Sequence, residues 1–210
     1  MSRLQIHPLT HTQQVKVDRD LQYINFLTNY GKKHGIRVIV SGGYATDANF
    51  GVITRYHEDI DIQLYSKNTN GFDEIAASFY ELGKKEAFYV DIPIIDKGIF
   101  EFYHEFDVKK DDFHAVFYYL PVKTDPFAEE KIILKKDGSH SPSHRYETVQ
   151  GKMGYEIAAP LPELVDKIYK REYRGDPKLE KHEQDIFNLR TITHEKDVEN
   201  RLKTLLTPHI

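Results

Sequence analysis

The chain has 210 residues, 30% of them charged and 12% aromatic, a composition that suits a soluble globular protein of one domain or two small ones. Its formal net charge of −4 offers no global basic field, so no nucleic-acid partner is expected, and the absence of cysteine excludes disulfide and thiolate chemistry. The first residues, Met1–Gln5, lack the apolar core of a signal peptide and no run reaches the length of a membrane span, so a cytoplasmic location with no membrane partner is expected.

Residues 1–9 read as a lead-in. Val17, Leu21, Ile24, Leu27 and Tyr30 then recur at threes and fours, which predicts a helix from about Thr10 to Lys33 with Gly31 and Gly35 as stops. Arg37–Val40 predicts a strand, Tyr44–Phe50 a short helix ended near Gly51, and Asp59–Tyr65 a second strand. Ser66–Gly71 is a turn cluster, and Phe72, Ile75, Phe79 and Leu82 mark one face of a helix ending near Gly83. Strands are predicted at Ala87–Val90, Ile99–Phe106, Phe113–Val122 and Lys131–Lys135, with turns at Asp96–Gly98, Lys109–Asp111 and Thr124–Pro126. Asp137–His144 reads as a loop, followed by short strands near Tyr146–Val149 and Tyr155–Ala158. The composition then shifts: Pro160-Leu161-Pro162-Glu163 opens a helix running to about Arg174, and further helices are predicted at about Pro177–Arg190 and Glu195–Leu206. This places an α/β part over residues 1–158 and a helical part over 159–210.

The first two strands frame the chemistry. Ser41-Gly42-Gly43 follows the first strand, where two glycines let the backbone turn sharply and approach a ligand, and the amides opening the next helix face an anion. The second strand carries Asp59 and Asp61. Residues two apart share one face of a strand and lie roughly 6.6 Å apart along it. Ile60, Ile62 and Leu64 take the other face, toward a core. Two adjacent carboxylates repel each other unless a cation sits between them, and a divalent ion with hard oxygen ligands is the natural occupant. Paired aspartates, a divalent metal and a phosphate-binding turn are the equipment of phosphoryl and nucleotidyl transfer.

The order Gly42, Gly43, Tyr44, Ala45, Asp47, Gly51, Thr54, Arg55, His57, Asp59, Asp61 resembles the polymerase-beta-type nucleotidyltransferase superfamily. More narrowly, it is similar to the small antibiotic nucleotidyltransferases that adenylylate lincosamides and aminoglycosides, with Tyr44 where Trp is more frequent. The resemblance implies an α+β fold: a mixed central sheet flanked by helices, then a C-terminal helical part. It implies Mg²⁺, two ions, on Asp59 and Asp61, and ATP or another NTP as co-substrate. Ser41, Gly42 and Gly43 would cradle the triphosphate; for Ser41 a plain helix cap is the alternative. Arg55, with its fork of donors, suits phosphate and equally suits an ion pair with Glu58 or Asp59. His57 contacts substrate or braces the loop, and Asp47 reads as a brace of the loop.

Relatives carry a third carboxylate on a neighbouring strand, because two metal ions need more oxygen ligands than two aspartates supply. Asp112-Phe113-His114 matches their Asp-h-His pattern and makes Asp112 the choice, with Asp111, Asp107 and Glu105 as competitors. Its role would be metal ligand or general base toward the acceptor hydroxyl. Relatives also carry a lysine in the first C-terminal helix, here Lys167, within reach of the β- or γ-phosphate. Their following Lys-Asp-x-x-Asp pattern is degraded here to Lys181-His182-Glu183-Gln184-Asp185.

The expected reaction is transfer of a nucleoside monophosphate, AMP from ATP, to a hydroxyl of a small molecule, with release of pyrophosphate. For a polycationic acceptor, Glu101, Glu105 and Glu156 are candidates to line an acidic pocket. The alternatives are a toxin-type or regulatory nucleotidyltransferase acting on tRNA or protein, and a non-catalytic nucleotide-binding protein.

Overall fold

The computed structural model describes residues 4–66, 89–91, 104–110, 113–121, 132–134, 140–142, 147–174 and 179–206; for the strands between 89 and 142 it gives backbone and register. Helix α1 spans His11–His34. It starts where predicted because Thr10 and Gln13 form a capping box, and it stops at Gly35, which takes the left-handed conformation (φ 70°). Gly31 does not stop it. That glycine lies inside the helix at its closest approach to the first strand, where a Cβ would stand 2.5 Å from Val38 Cγ2.

Strand β1 (Ile36–Ser41) runs into α2 (Gly42–Phe50), which Gly51 (φ 80°) ends, and β2 spans Ile60–Ser66. The remaining strands are β3 (Tyr89–Asp91), β4 (His104–Lys110), β5 (Phe113–Pro121), β6 (Ile132–Leu134), β7 (His140–Pro142), β8 (Thr148–Gln150) and β9 (Glu156–Ala158). Seven of them form a mixed sheet in the order β3-β4-β5-β2-β1-β9-β8. β2 lies antiparallel to β1 and parallel to β5, and β9 lies parallel to β1.

Two expectations are corrected. Lys109 and Lys110 are not a turn but the end of β4, opposite His114 and Phe113 of β5. His140–Pro142 is not loop but strand, because it pairs with β6 in a separate two-stranded sheet, an edge position that tolerates Pro142. The predicted turn at 67–71, the helix over 72–83 and the turns at 96–98 and 124–126 lie outside the described residues.

The helical part comprises α3 (Pro160–Tyr169), a π-helical turn over Lys170–Arg174, α4 (Leu179–Arg190) and α5 (Glu195–Leu206). One apolar core joins α1 to the sheet through Ile24 and Leu27 against Val38, Val40, Ile62 and Leu64. A second lies among the C-terminal helices, with Leu164, Ile168, Ile186, Leu189 and Val198. The short helix α2 touches both: it packs on β1, β2 and β9 and also on α3 and α4. The turn at its start is thereby held between the two cores. Among the described residues no helix is long and apolar enough to cross a membrane.

Candidate active site

The alternation of β2 sends Ile60, Ile62 and Leu64, all fully buried, into the core, and turns Asp59 and Asp61 to the opposite side. Asp59 is the residue before the strand and Asp61 its second position. The pairing of β1 with β2 sets Ser41 opposite Asp61, so the turn after β1 and the aspartates share one end of the sheet. Ser41 occupies the N-cap of α2 without making a side-chain cap; its hydroxyl donates to the Asp61 carbonyl instead, at 3.4 Å.

The two glycines are required by the protein itself. Gly42 has φ 68°, and a Cβ there would lie 2.1 Å from Asp61 Oδ2; a Cβ on Gly43 would lie 2.1 Å from His57 Nδ1. The turn therefore presses directly on the Asp61 carboxylate on one side and on the His57 ring on the other. Burial pushes the Asp61 carboxyl up; Lys170 pulls it down and the neighbouring Asp59 pushes it up again. A divalent cation between the two carboxylates relieves both penalties, so the donor set fits Mg²⁺.

The loop from Gly51 to Asp59 is fixed from both ends. Asp47, fully buried on α2, accepts from the Thr54 amide at 3.0 Å and the Thr54 hydroxyl at 2.6 Å, and its other oxygen lies 2.6 Å from His57 Nε2. Burial holds the His57 imidazole below its ordinary value although the Asp47 hydrogen bond opposes that shift, so the ring is neutral at physiological pH. With Asp47 accepting from Nε2–H, the Nδ1 atom against Gly43 is the acceptor nitrogen. Tyr44 lies 4.6 Å from the His57 ring, centroid to centroid, and its hydroxyl donates to Asp20 of α1 at 2.8 Å, where Lys16 also pairs at 2.6 Å. Tyrosine thus adds a bond to α1 at the motif's aromatic position.

Arg55 reaches the C-terminal helices, and the charge of Asp59 also favours its guanidinium. Its guanidinium makes a two-pronged contact with Asp185 of α4, at 2.9 and 2.7 Å, and donates to the Tyr56 carbonyl at 2.9 Å. Lys167 of α3 binds the same carboxylate at 2.9 Å. Asp185 is fully buried; burial opposes its charge, yet Lys167 and Arg55 hold its carboxyl well below the usual range. Gln184 donates to the Thr54 carbonyl at 2.8 Å, so α4 grips the loop at two successive residues. The degraded pattern around Asp185 therefore keeps the one acid that joins Arg55 to Lys167.

Glu163, which the sequence presents only as part of a helix start, enters the site. Its Oε1 accepts from the Gly42 amide at 3.0 Å while its Oε2 is buried with no hydrogen-bond partner. Burial pushes its carboxyl up to about 7, against the pull of Lys167. No local signal marks it: a glutamate in the first turn of any helix favours the macrodipole, and only the packing of α3 on α2 brings it to Gly42.

The structure thus brings together Ser41, Gly42, Gly43, Asp59 and Asp61, and gathers Arg55 and Lys167 on Asp185 beside them. Asp112 and Asp111 lie outside the described residues. Strand β5 begins one residue later, at Phe113, and runs parallel to β2 with Ala115 opposite Ile60, so it starts at the same end of the sheet as the aspartates. Asp107 takes a register position opposite Val116, which is itself opposite Asp61. Glu156 forms an ion pair with Arg37 and accepts from Thr148 at 2.7 Å. Glu101 lies outside the described residues.

The family model described as aminoglycoside-2''-adenylyltransferase matches residues 24–114, from α1 into β5. The crystal structure of ANT(2'')-Ia in complex with adenylyl-2''-tobramycin superposes with a TM-score of 0.60 at 15% identity, covering 90% of this chain and 99% of that one. The solution structure of the antibiotic-resistance factor ANT(2'')-Ia gives 0.54 at 15% identity, covering 93% and 92%. No curated protein matches the chain. The fold is the nucleotidyltransferase fold, an α+β arrangement followed by a helical part.

Proposed function

From the premise that the chain is an enzyme related to the small antibiotic nucleotidyltransferases, we propose that it transfers AMP from ATP to a hydroxyl of an aminoglycoside-type antibiotic and releases pyrophosphate, with Mg²⁺. The observation that carries this reading is the seating of the Asp61 carboxylate against Gly42, which joins a metal-binding pair to a phosphate-binding turn at one point. Asp59 and Asp61 would hold the metal, with Asp112 as the third carboxylate. When bound, Mg²⁺ offsets the charge on the triphosphate oxygens and on the departing pyrophosphate.

The chain's own residues do the rest. The acceptor oxygen attacks the α-phosphorus, the bond from that phosphorus to the bridging oxygen breaks, and a carboxylate, Asp112 in this reading, takes the hydroxyl proton. Ser41 and the Gly42–Gly43 turn border the triphosphate. Arg55 and Lys167 together with Asp185 carry a net charge of +1, which favours the polyanion while both cations stay fixed. Neutral His57, braced by Asp47, fills the space under the turn without adding charge. The part over 1–158 supplies the aspartate pair and Arg55, and the part over 159–210 supplies Lys167 and the Asp185 that fixes both cations.

The matched family model supports an amino-sugar acceptor, and the geometry of the site supports the reaction. Mass spectrometry of aminoglycosides and lincosamides incubated with enzyme, ATP and Mg²⁺ tests both. One adenylyl group added to an aminoglycoside supports the reading, and unmodified drugs throughout contradict the acceptor class.

A further inference from the structure

Given the reading above, in which Gly42 and Asp61 border the nucleotide, we propose that Glu163 is a positioning residue for the phosphate-binding turn: its hydrogen bond holds the Gly42 amide and thereby fixes the seat of the Asp61 carboxylate.

The geometry is local and specific. Gly42 stands in the left-handed region at φ 68°, and its face toward Asp61 Oδ2 has no room for a methyl group. A rotation of this residue would move the surface against which the metal-binding oxygen rests. The Gly42 carbonyl accepts from the Thr46 hydroxyl at 3.2 Å, but glycine, with the widest conformational freedom, brings no side-chain restraint to its amide side. The restraint comes from the helical part. Glu163, 3% exposed, reaches across from α3 and takes the first amide of α2 at 3.0 Å.

A carboxyl group on the leading amide of a helix fills the position that a helix N-terminus offers to an anion. The Gly42 amide is therefore committed to the protein, and the phosphate is left with Gly43 and the rest of the turn. Glu163 does not stand alone. Lys167, which attracts it, is itself fixed on Asp185, and Asp185 holds Arg55. The metal strand is thus gripped on both flanks from the C-terminal helices: at the turn before it by Glu163, and at the loop leading into it by Asp185.

Three variants separate this role from a charge-dependent one. Glu163→Gln keeps an oxygen acceptor for Gly42 and removes the charge. Glu163→Asp keeps the charge and falls a methylene short. Glu163→Ala removes both. Gly42 amide exchange, read by NMR, reports the hydrogen bond without turnover, and pyrophosphate release reports kcat and KM for ATP.

Glu163→Gln is expected to keep Gly42 protection and kcat within about 3-fold, whereas Glu163→Asp and Glu163→Ala lose protection and about 10- to 100-fold in kcat, as for other outer-shell supports of a metal site. Wild-type protection and kcat in Glu163→Ala would overturn the proposal. So would a Glu163→Gln protein as impaired as Glu163→Ala, because charge or proton transfer would then be the essential property. Should Glu163→Ala fail to fold, Glu163→Asp decides against Glu163→Gln. If the wild-type enzyme adenylylates nothing, the reaction reading fails, and the exchange data still decide whether Glu163 holds Gly42.

Discussion

Asp61 pays for its position in every neighbour but one kind. Burial and Asp59 both disfavour its charge, and the charges of Lys170 and Lys167 offset only part of this. Its folded-state pKa is raised, so the favourable contribution of the protonated form is present below its ordinary value and is lost as pH rises through the raised one. Metal-free Asp61→Asn should therefore melt higher than wild type at neutral pH, while transfer falls by roughly 10³-fold or more; a lower melting temperature would show that the charge is stabilised by the protein alone. Glu163 gives a second titration. Its pKa, raised from 4.5 to about 7, makes its contribution complete below pH 4.5 and lost above about 7. The stability of wild type relative to Glu163→Gln should fall by on the order of 3 kcal/mol across that window, measured by denaturant unfolding at each pH. Sequence could show that Asp59 and Asp61 share a face, because strand alternation is a local rule. It could not show Glu163 on Gly42 or Asp185 between Arg55 and Lys167, because both contacts join residues more than a hundred positions apart.

The elements of the site are a strand, a turn and a short helix, and their boundaries were legible from local chemistry. Thr10 and Gln13 start α1, Gly35 and Gly51 end α1 and α2, and the β-branched run marks β1. What the local pattern misread was pairing: Lys109 and Lys110 extend β4, and His140–Pro142 becomes a strand only by meeting β6. The glycines of the turn were legible as special, but the reason is their fit against Asp61 and His57. Gly43→Ala should accordingly displace the His57 ring and cost on the order of 1–3 kcal/mol of stability, with loss of turnover, as overpacking of a fitted contact does; thermal unfolding with wild-type values would contradict this. At the loop, Asp185→Asn leaves Arg55 and Lys167 partnered by a neutral amide in a buried setting. Breaking such a network costs about 3–5 kcal/mol, so a large fall in melting temperature is expected, and an unchanged one would show that the pair is dispensable.

At the scale of the molecule, the sheet and the C-terminal helices are two cores that meet at α2. The sheet carries the aspartate pair and the helices fix the residues on either side of it, so neither part alone presents the proposed site. The measurement that tests this account most directly is pyrophosphate release with ATP and Mg²⁺ across a panel of aminoglycosides and lincosamides, for wild type, Asp59→Ala and Asp61→Ala. Release is expected with an aminoglycoside, abolished in both variants without loss of fold. Release that survives either substitution, or none with any drug despite Mg²⁺-dependent ATP binding, would contradict it.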